Sequence, residues 1–300
     1  MSLSQSNELH RANRNEPTEH QRRLIAASWQ RYREAGRWKL ILWGCDLALF
    51  AAGVIVWSTT GSEAGLATAA AIFLVVKRLV ADPEQTRAHS EAVRLQEQCE
   101  VDMFRLAWNK GLAGAPISAA DAYAIAQRFR GDRSRLDSWY VPVDGLTRER
   151  SVLLRQWENA GWAALDYRRF YRLVGGVLLF SVALTIIAGA VKNASLTHYL
   201  IGLVLPSMPW LLDLADHAAM NRRAFLRRRE IEANAQELLD RPAGQDADPA
   251  SLRALQDALF RSRSEVGHVP DWFYRIFRER NQRLYVDLVA HIHQRRAGDS

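Results

Sequence analysis

The stretch from Leu173 to Val191, LVGGVLLFSVALTIIAGAV, runs nineteen residues without a charge. At about 1.5 Å per helical residue it is just long enough to cross a hydrocarbon core of roughly 30 Å. Its polar side chains, Ser181 and Thr185, can bond back to their own helix backbone, so burial in lipid costs little. Arg168, Arg169 and Arg172 crowd its leading edge. The segment is predicted to be a transmembrane helix.

A second apolar run, Tyr199 to Leu214, follows after the connection Lys192 to His198, which is too short for a domain. The two should form a membrane hairpin. Pro206 and Pro209 would break a soluble helix but are tolerated in a bundle, and they are the candidate hinges. Upstream lies Trp38 to Trp57, twenty residues bracketed by tryptophans expected at the two headgroup levels. Its partner, Leu66 to Val80, is short, since Lys77 and Arg78 interrupt it. Snorkelling of those two cations, and of Lys39, would let the spans sit in lipid.

The 48% hydrophobic content and mean hydropathy of −0.21 fit membrane spans with sizeable water-exposed parts. The net charge of +7 could suggest a nucleic-acid polymer as partner, but the basic excess flanks the apolar runs, where it orients a membrane protein. Ser58 to Ala64 carries only Glu63, and the other hairpin loop only Lys192 besides His198. Arginines and lysines gather at the opposite ends, around 31–39, 77–78, 168–172 and 222–229. Both hairpins should therefore enter from the cytoplasm and return to it, placing both termini inside.

The predicted fold is an all-α membrane protein with four transmembrane helices in two hairpins. Residues 1–37 form a cytoplasmic tail and amphipathic helix, 38–80 hairpin 1, 81–172 a cytoplasmic helical middle segment, 173–214 hairpin 2, and 215–300 a cytoplasmic helical region. Asp82 and Pro83 should open one helix, Ser118 cap another, and Thr147 cap a helix that runs straight into the span at Leu173. The loop from Arg241 to Asp248 reads as flexible, and Pro249 opens the next helix. The last helix shows Phe273, Phe277, Leu284, Leu288 and Ile292 on one face.

The chain carries no Walker loop, nucleophile elbow or zinc signature, so neither catalytic residues nor a cofactor is predicted and an enzyme is not expected. Cys45 and Cys99 read as plain thiols. His291 and His293, at i and i+2, point to different sides of a helix and do not predict a metal site. Asp246 and Asp248 read as solvated loop acids, and Asn193-Ala194-Ser195 matches a glycosylation sequon only weakly. Asp46 stands out, about 12 Å into its helix, where a carboxylate costs roughly 3 kcal/mol on insertion scales. It must face protein or water, either as the structural partner of a nearby Lys39 or arginine or as a pore-lining acid. Small residues at Gly44, Ala48 and Ala52, and at Gly176, Ala183 and Ala190, read first as packing seams within the bundle. Trp139, Tyr140 and Trp157 stand among arginines, including Arg168 and Arg169, and are candidates for ligand binding or gating.

Layout and local strings together resemble the SMODS-associated four-transmembrane effector family, pore-forming proteins of bacterial anti-phage systems. The strings are CEVDMFRLAWN (99–109), LDSWYVP (136–142), NAGWAALDYRRFY (159–171), the Pro206 and Pro209 pair, and VPDWFYRIFRERN (269–281). The chain departs from the family pattern at Val141 and in its short second span. The resemblance implies an effector of the bacterial inner membrane that permeabilises it when triggered by a signalling partner or a cyclic-nucleotide second messenger. Four spans enclose no wide channel in one copy, so a pore would need a homo-oligomer in the lipid bilayer. A membrane-anchored sensor or scaffold without conductance is the alternative.

Overall fold

The computed structural model describes residues 17–59, 64–137, 140, 146–192, 195–242, 244–265 and 269–297. Trp139, the Asn193-Ala194 pair and the side chains of His291, Ile292 and His293 lie outside that description. Among the described residues every regular element is helical: α1 (Glu19–Thr59), α2 (Ala64–Val76), α3 (Asp82–Phe104), α4 (Lys110–Ala113), α5 (Ala119–Gln127), α6 (Arg148–Val191), α7 (Leu196–Leu239), α8 (Pro249–Ser264) and α9 (Asp271–Ala297). Helices α1, α6 and α7 are long and apolar enough to cross a membrane. Helix α2 adds thirteen apolar residues, about 20 Å at the helical rise.

No break separates α2 from α3, although Asp82 and Pro83 were expected to start a new helix. A π-helical turn over Lys77–Ala81 joins them, with the Asp82 N–H donating to the Lys77 carbonyl. Proline has no N–H and its ring crowds the carbonyl four residues back, and the wider turn relieves that crowding. The same device precedes Pro206: over Leu200–Val204 the Leu205 N–H reaches the Leu200 carbonyl, and α7 then continues past Pro209.

Ile41 and Ile55 on α1, Ile72 on α2, Leu179, Phe180, Ile187 and Val191 on α6, and Leu196 on α7 are 58–75% exposed. Such a belt on four neighbouring helices is a lipid-facing surface. Trp57, near the far end of its span, is buried against α6, its Nε1 donating to the Ala188 carbonyl at 3.0 Å. The small-residue stripes depart from expectation. Gly44, Ala48, Gly176, Ala183 and Ala190 all face outward. The cause is helical phase: Asp46 and Ser181 point inward, and residues two positions away lie on the opposite side at about 100° per residue. Close approach occurs elsewhere, with a Cβ on Gly53 falling 3.3 Å from Pro206.

The water-side layer has two cores. The first half of α1 packs on α3 and α5 through Leu24, Ile25, Leu95, Cys99, Ile125 and Phe129. The first half of α6, the second half of α7 and α8 bury Leu153, Trp157, Ile231, Ala235, Leu252 and Leu259. Ser118 and Thr147 cap α5 and α6 as their sequence positions predict, and Asp248, which read as a solvated loop acid, caps α8. The loop expected to be flexible is held by Arg150, whose Nε donates to Asp246 at 2.6 Å and Nη2 to the Pro242 carbonyl at 2.6 Å. Asp246 is therefore an ion-pair partner, and that hydrogen bond keeps its carboxyl below the ordinary range.

Helix α9 docks through Phe273 and Phe277 of the face its apolar spacing suggests, but farther along it turns a different face inward. Phe273, Asn281 and Tyr285 are buried, whereas Leu284 and Leu288 stay exposed. Asn281 decides the register: its Nδ2 donates to Asp166 at 2.9 Å, and Arg169 Nη1 donates to its Oδ1 at 2.7 Å. A Cβ on Gly161 would collide with the Tyr285 hydroxyl and the Glu232 carboxylate.

Burial pushes the Asp166 carboxyl up to about 6, against the bond from Asn281 and the charge of Arg169. An acid raised from an ordinary value near 4 is harder to ionise when docked than when free, so docking is firmest when it is protonated in both states and weakens as pH rises from about 4 through 6. Asp166→Asn keeps the acceptor for Asn281 and removes the charge. Its α9 should stay protected from hydrogen exchange equally at pH 5 and pH 8, while the wild type loses protection at the higher value.

Candidate functional site

Where α1, α2 and α7 meet inside the apolar belt, three buried charged side chains gather on a fourth, Asp213, that is largely buried. Lys77 Nζ donates to Asp46 Oδ2 at 2.7 Å and to Asp213 Oδ1 at 3.0 Å. Lys39 Nζ reaches Asp213 at 2.9 Å. Trp43 Nε1 also donates to Asp213, and His217 Nε2 stands 3.9 Å from it. Asp46 is 0% exposed, Lys39 5% and Lys77 7%. Two ammonium groups face two carboxylates, so the formal charges cancel. The π turn ending α2 places Lys77 on the inner side, where it turns to Asp46 rather than snorkelling.

Asp213 is the hub of this cluster and Asp46 its half-satisfied member. Asp46 Oδ1 is buried without a hydrogen-bond partner among the described residues. A buried acceptor left unsatisfied costs about 1–3 kcal/mol. Deeper in the bundle Ser207 Oγ bonds the Leu203 carbonyl, Trp210 Nε1 donates to Ser181 Oγ at 3.0 Å, and Thr185 Oγ1 donates to the Val182 carbonyl. Polar groups thus line the seam on the far side of the cluster from the water-side layer.

A second polar centre lies in the water-side layer. Glu100, 0% exposed, accepts from Arg263 at 2.7 and 2.8 Å, from Gln256 at 2.7 Å and from Gln96 at 2.9 Å. Burial alone would raise its carboxyl, but the Arg263 guanidinium and these donors hold it below the ordinary range. Gln256 bridges on to Glu97, which Arg253 also pairs at 2.6 Å. Arg228 is buried beside it with the neutral partners Ser262 and Asn159, and burial pushes it down to about 10. The network ties α3, α6, α7 and α8 into one block.

Residues 11–290 match the SMODS-associating 4TM effector domain. The chain belongs to this family. A probable CBASS effector molecule of Bacillus cereus (strain VD146) is 26% identical over 205 residues, covering 66% of this chain and 68% of that protein. No solved structure matches it.

In this SMODS-associating 4TM effector the candidates read from sequence occupy separate settings. Asp46 sits in the membrane cluster, but its partner is Lys77, not Lys39 or an arginine. Tyr140 donates to Glu100 at 3.2 Å, beneath Arg155. Trp157 is buried edge-on against Tyr285, and Arg169 lies over the Phe277 ring at 4.6 Å. Arg168 is exposed. Pro206 follows the π turn of α7 and packs against Gly53, while Pro209 lies buried one turn on. Asp213, Lys77 and His217 were missed as site residues. Asp213 carried the same signal as Asp46, an acid within an apolar run, but its place near the end of that run suggested a boundary.

Proposed function

We propose that this 4TM effector is a pore-forming protein of a bacterial anti-phage system. It sits in the inner membrane as four spans, with both termini and the segment between the hairpins in the cytoplasm. An infection-triggered partner or a nucleotide second messenger switches it, and a homo-oligomer opens an ion-permeable path without any enzymatic step. The observation that carries this reading is the buried cluster of Lys39, Asp46, Lys77 and Asp213 inside the apolar belt. Ionisable groups at such depth are costly and are functional by default. Paired as they are here they form a closed, neutral lock; separated, they require water, and a hydrated seam lined by charges conducts ions.

Continuity of the helices supports it. Helices α1, α6 and α7 pass from the water-side layer into the belt without interruption, so a shift of the block around Glu100 must reach the cluster. A ligand moves that equilibrium only by its differential affinity for the open arrangement. The outward stripes Gly44–Ala48 and Gly176–Ala183–Ala190 suit close contact between copies. The name of the Bacillus relative, a probable CBASS effector, agrees with a signalled role.

The test is membrane potential in cells expressing the protein together with its trigger. Depolarisation that precedes any loss of nucleotides or DNA is expected. If the potential holds while growth stops, conduction is excluded and a sensor or scaffold role replaces it.

A further inference from the structure

A groove of about 380 Å³ opens between α1 and the start of α9. Arg33, Arg37 and Leu40 form one wall at i, i+4 and i+7 on α1; Pro270, Trp272 and Arg275 form the other. Its depth is set by its neighbours. Phe273 packs on Phe170 at 5.1 Å, three residues before the span that starts at Leu173. Leu40 opens the exposed apolar face of α1. The groove therefore lies at the headgroup level, its three arginines beside Leu40 and Trp272, which are 48% and 47% exposed. Among the described residues none of the three arginines is ion-paired with a carboxylate. Arg33 lies over the Phe129 ring at 5.3 Å, which leaves its N–H edges to donate.

We propose that this groove binds the phosphate headgroup of an anionic phospholipid, with an acyl chain running along Leu40 and Trp272. Planar guanidinium groups donate paired hydrogen bonds to phosphate oxygens, and an apolar edge at the same site selects a ligand that carries a chain. A zwitterionic headgroup would set its ammonium against three cations, so an anionic one is preferred. Basic clusters at this level attract anionic lipid by about fivefold per arginine. The bound lipid would clamp α9, already docked on α6, to α1.

Full-length protein in nanodiscs of mixed phosphatidylethanolamine and phosphatidylglycerol provides the test, with retained lipid counted by native mass spectrometry after extraction. Wild type should keep phosphatidylglycerol selectively. Arg37→Gln/Arg275→Gln should retain it roughly twenty-five-fold less, whereas Arg37→Lys/Arg275→Lys should keep most of it. A thermal melt reports folding, and if the glutamine pair fails to fold, the single variant Arg37→Gln and the lysine pair decide. Unchanged retention in the folded glutamine variants, or equal retention of both lipids by wild type, would overturn the proposal. Displacement of phosphatidylglycerol by inorganic phosphate in lipid-free detergent would reassign the groove to a soluble phosphate ligand.

Discussion

Asp213→Leu should destabilise the protein by about 3–5 kcal/mol, the usual cost of removing one partner from a buried ion pair. Asp213 meets Lys39 at 2.9 Å and Lys77 at 3.0 Å, and it accepts from Trp43. Without it Lys39 keeps none of these contacts, and Lys77 keeps only Asp46 at 2.7 Å. Asp46→Leu should cost less, because Lys77 still has Asp213 and because the orphaned Asp46 Oδ1 is removed with the side chain. Thermal melting in detergent should therefore rank wild type above Asp46→Leu and both above Asp213→Leu. Equal losses would remove Asp213 from its place as the hub, and a harmless Asp213→Leu would mean that the cluster does not hold the bundle together. The paired change Asp46→Leu/Lys77→Met removes one charge of each sign and should melt near wild type, since apolar residues often replace a buried ion pair at little cost. If that variant inserts and folds but no longer depolarises cells, the charges serve the path; if it depolarises them fully, they serve only the fold.

Glu100→Gln should loosen the water-side layer by a comparable amount, about 3–5 kcal/mol. The amide cannot balance Arg263, which would remain buried at 5% exposure with only Glu97, 4.0 Å away, as a charge to meet. Hydrogen exchange should rise across α3 and α8 together, because the two helices share this pair. Glu100→Leu with Arg263→Met should recover part of the loss. The pH dependence has a defined sign. A glutamate held below its ordinary value contributes stability above that value and loses it as pH falls through its folded-state pKa, so the Glu100 contribution should be lost in acid, below about pH 4. That is the opposite of Asp166, whose contact with α9 is firmest in acid.

Local features were legible from residues alone. Ser118 and Thr147 cap the helices they precede because a cap is made within three residues of chain. The continuity of α6 from Thr147 to Val191 follows from an uninterrupted helical pattern that changes only in polarity. Features that needed a partner were not legible. Lys77 read as a snorkelling cation at the end of a short span, since nothing near it in the chain announces the inward turn that the π helix ahead of Pro83 imposes. Leu284 and Leu288 read as the buried face of α9, but Asn281, meeting Asp166 and Arg169, chose another. Gly44 and Ala48 read as an inner seam, and burying Asp46 turned them out.

The sequence by itself determined that the chain enters a membrane, where the long spans lie, that its regular structure is helical, and which family it belongs to. Transfer of a side chain into lipid and formation of a helical turn are local free energies that sum along the chain. Only the tertiary structure decided which charges meet. Lys77 and Asp46 are 31 residues apart, and Lys39 and Asp213 are 174. A buried ion pair exists at a few ångströms or not at all, and that distance is set by how helices rotate and cross, which no single segment encodes.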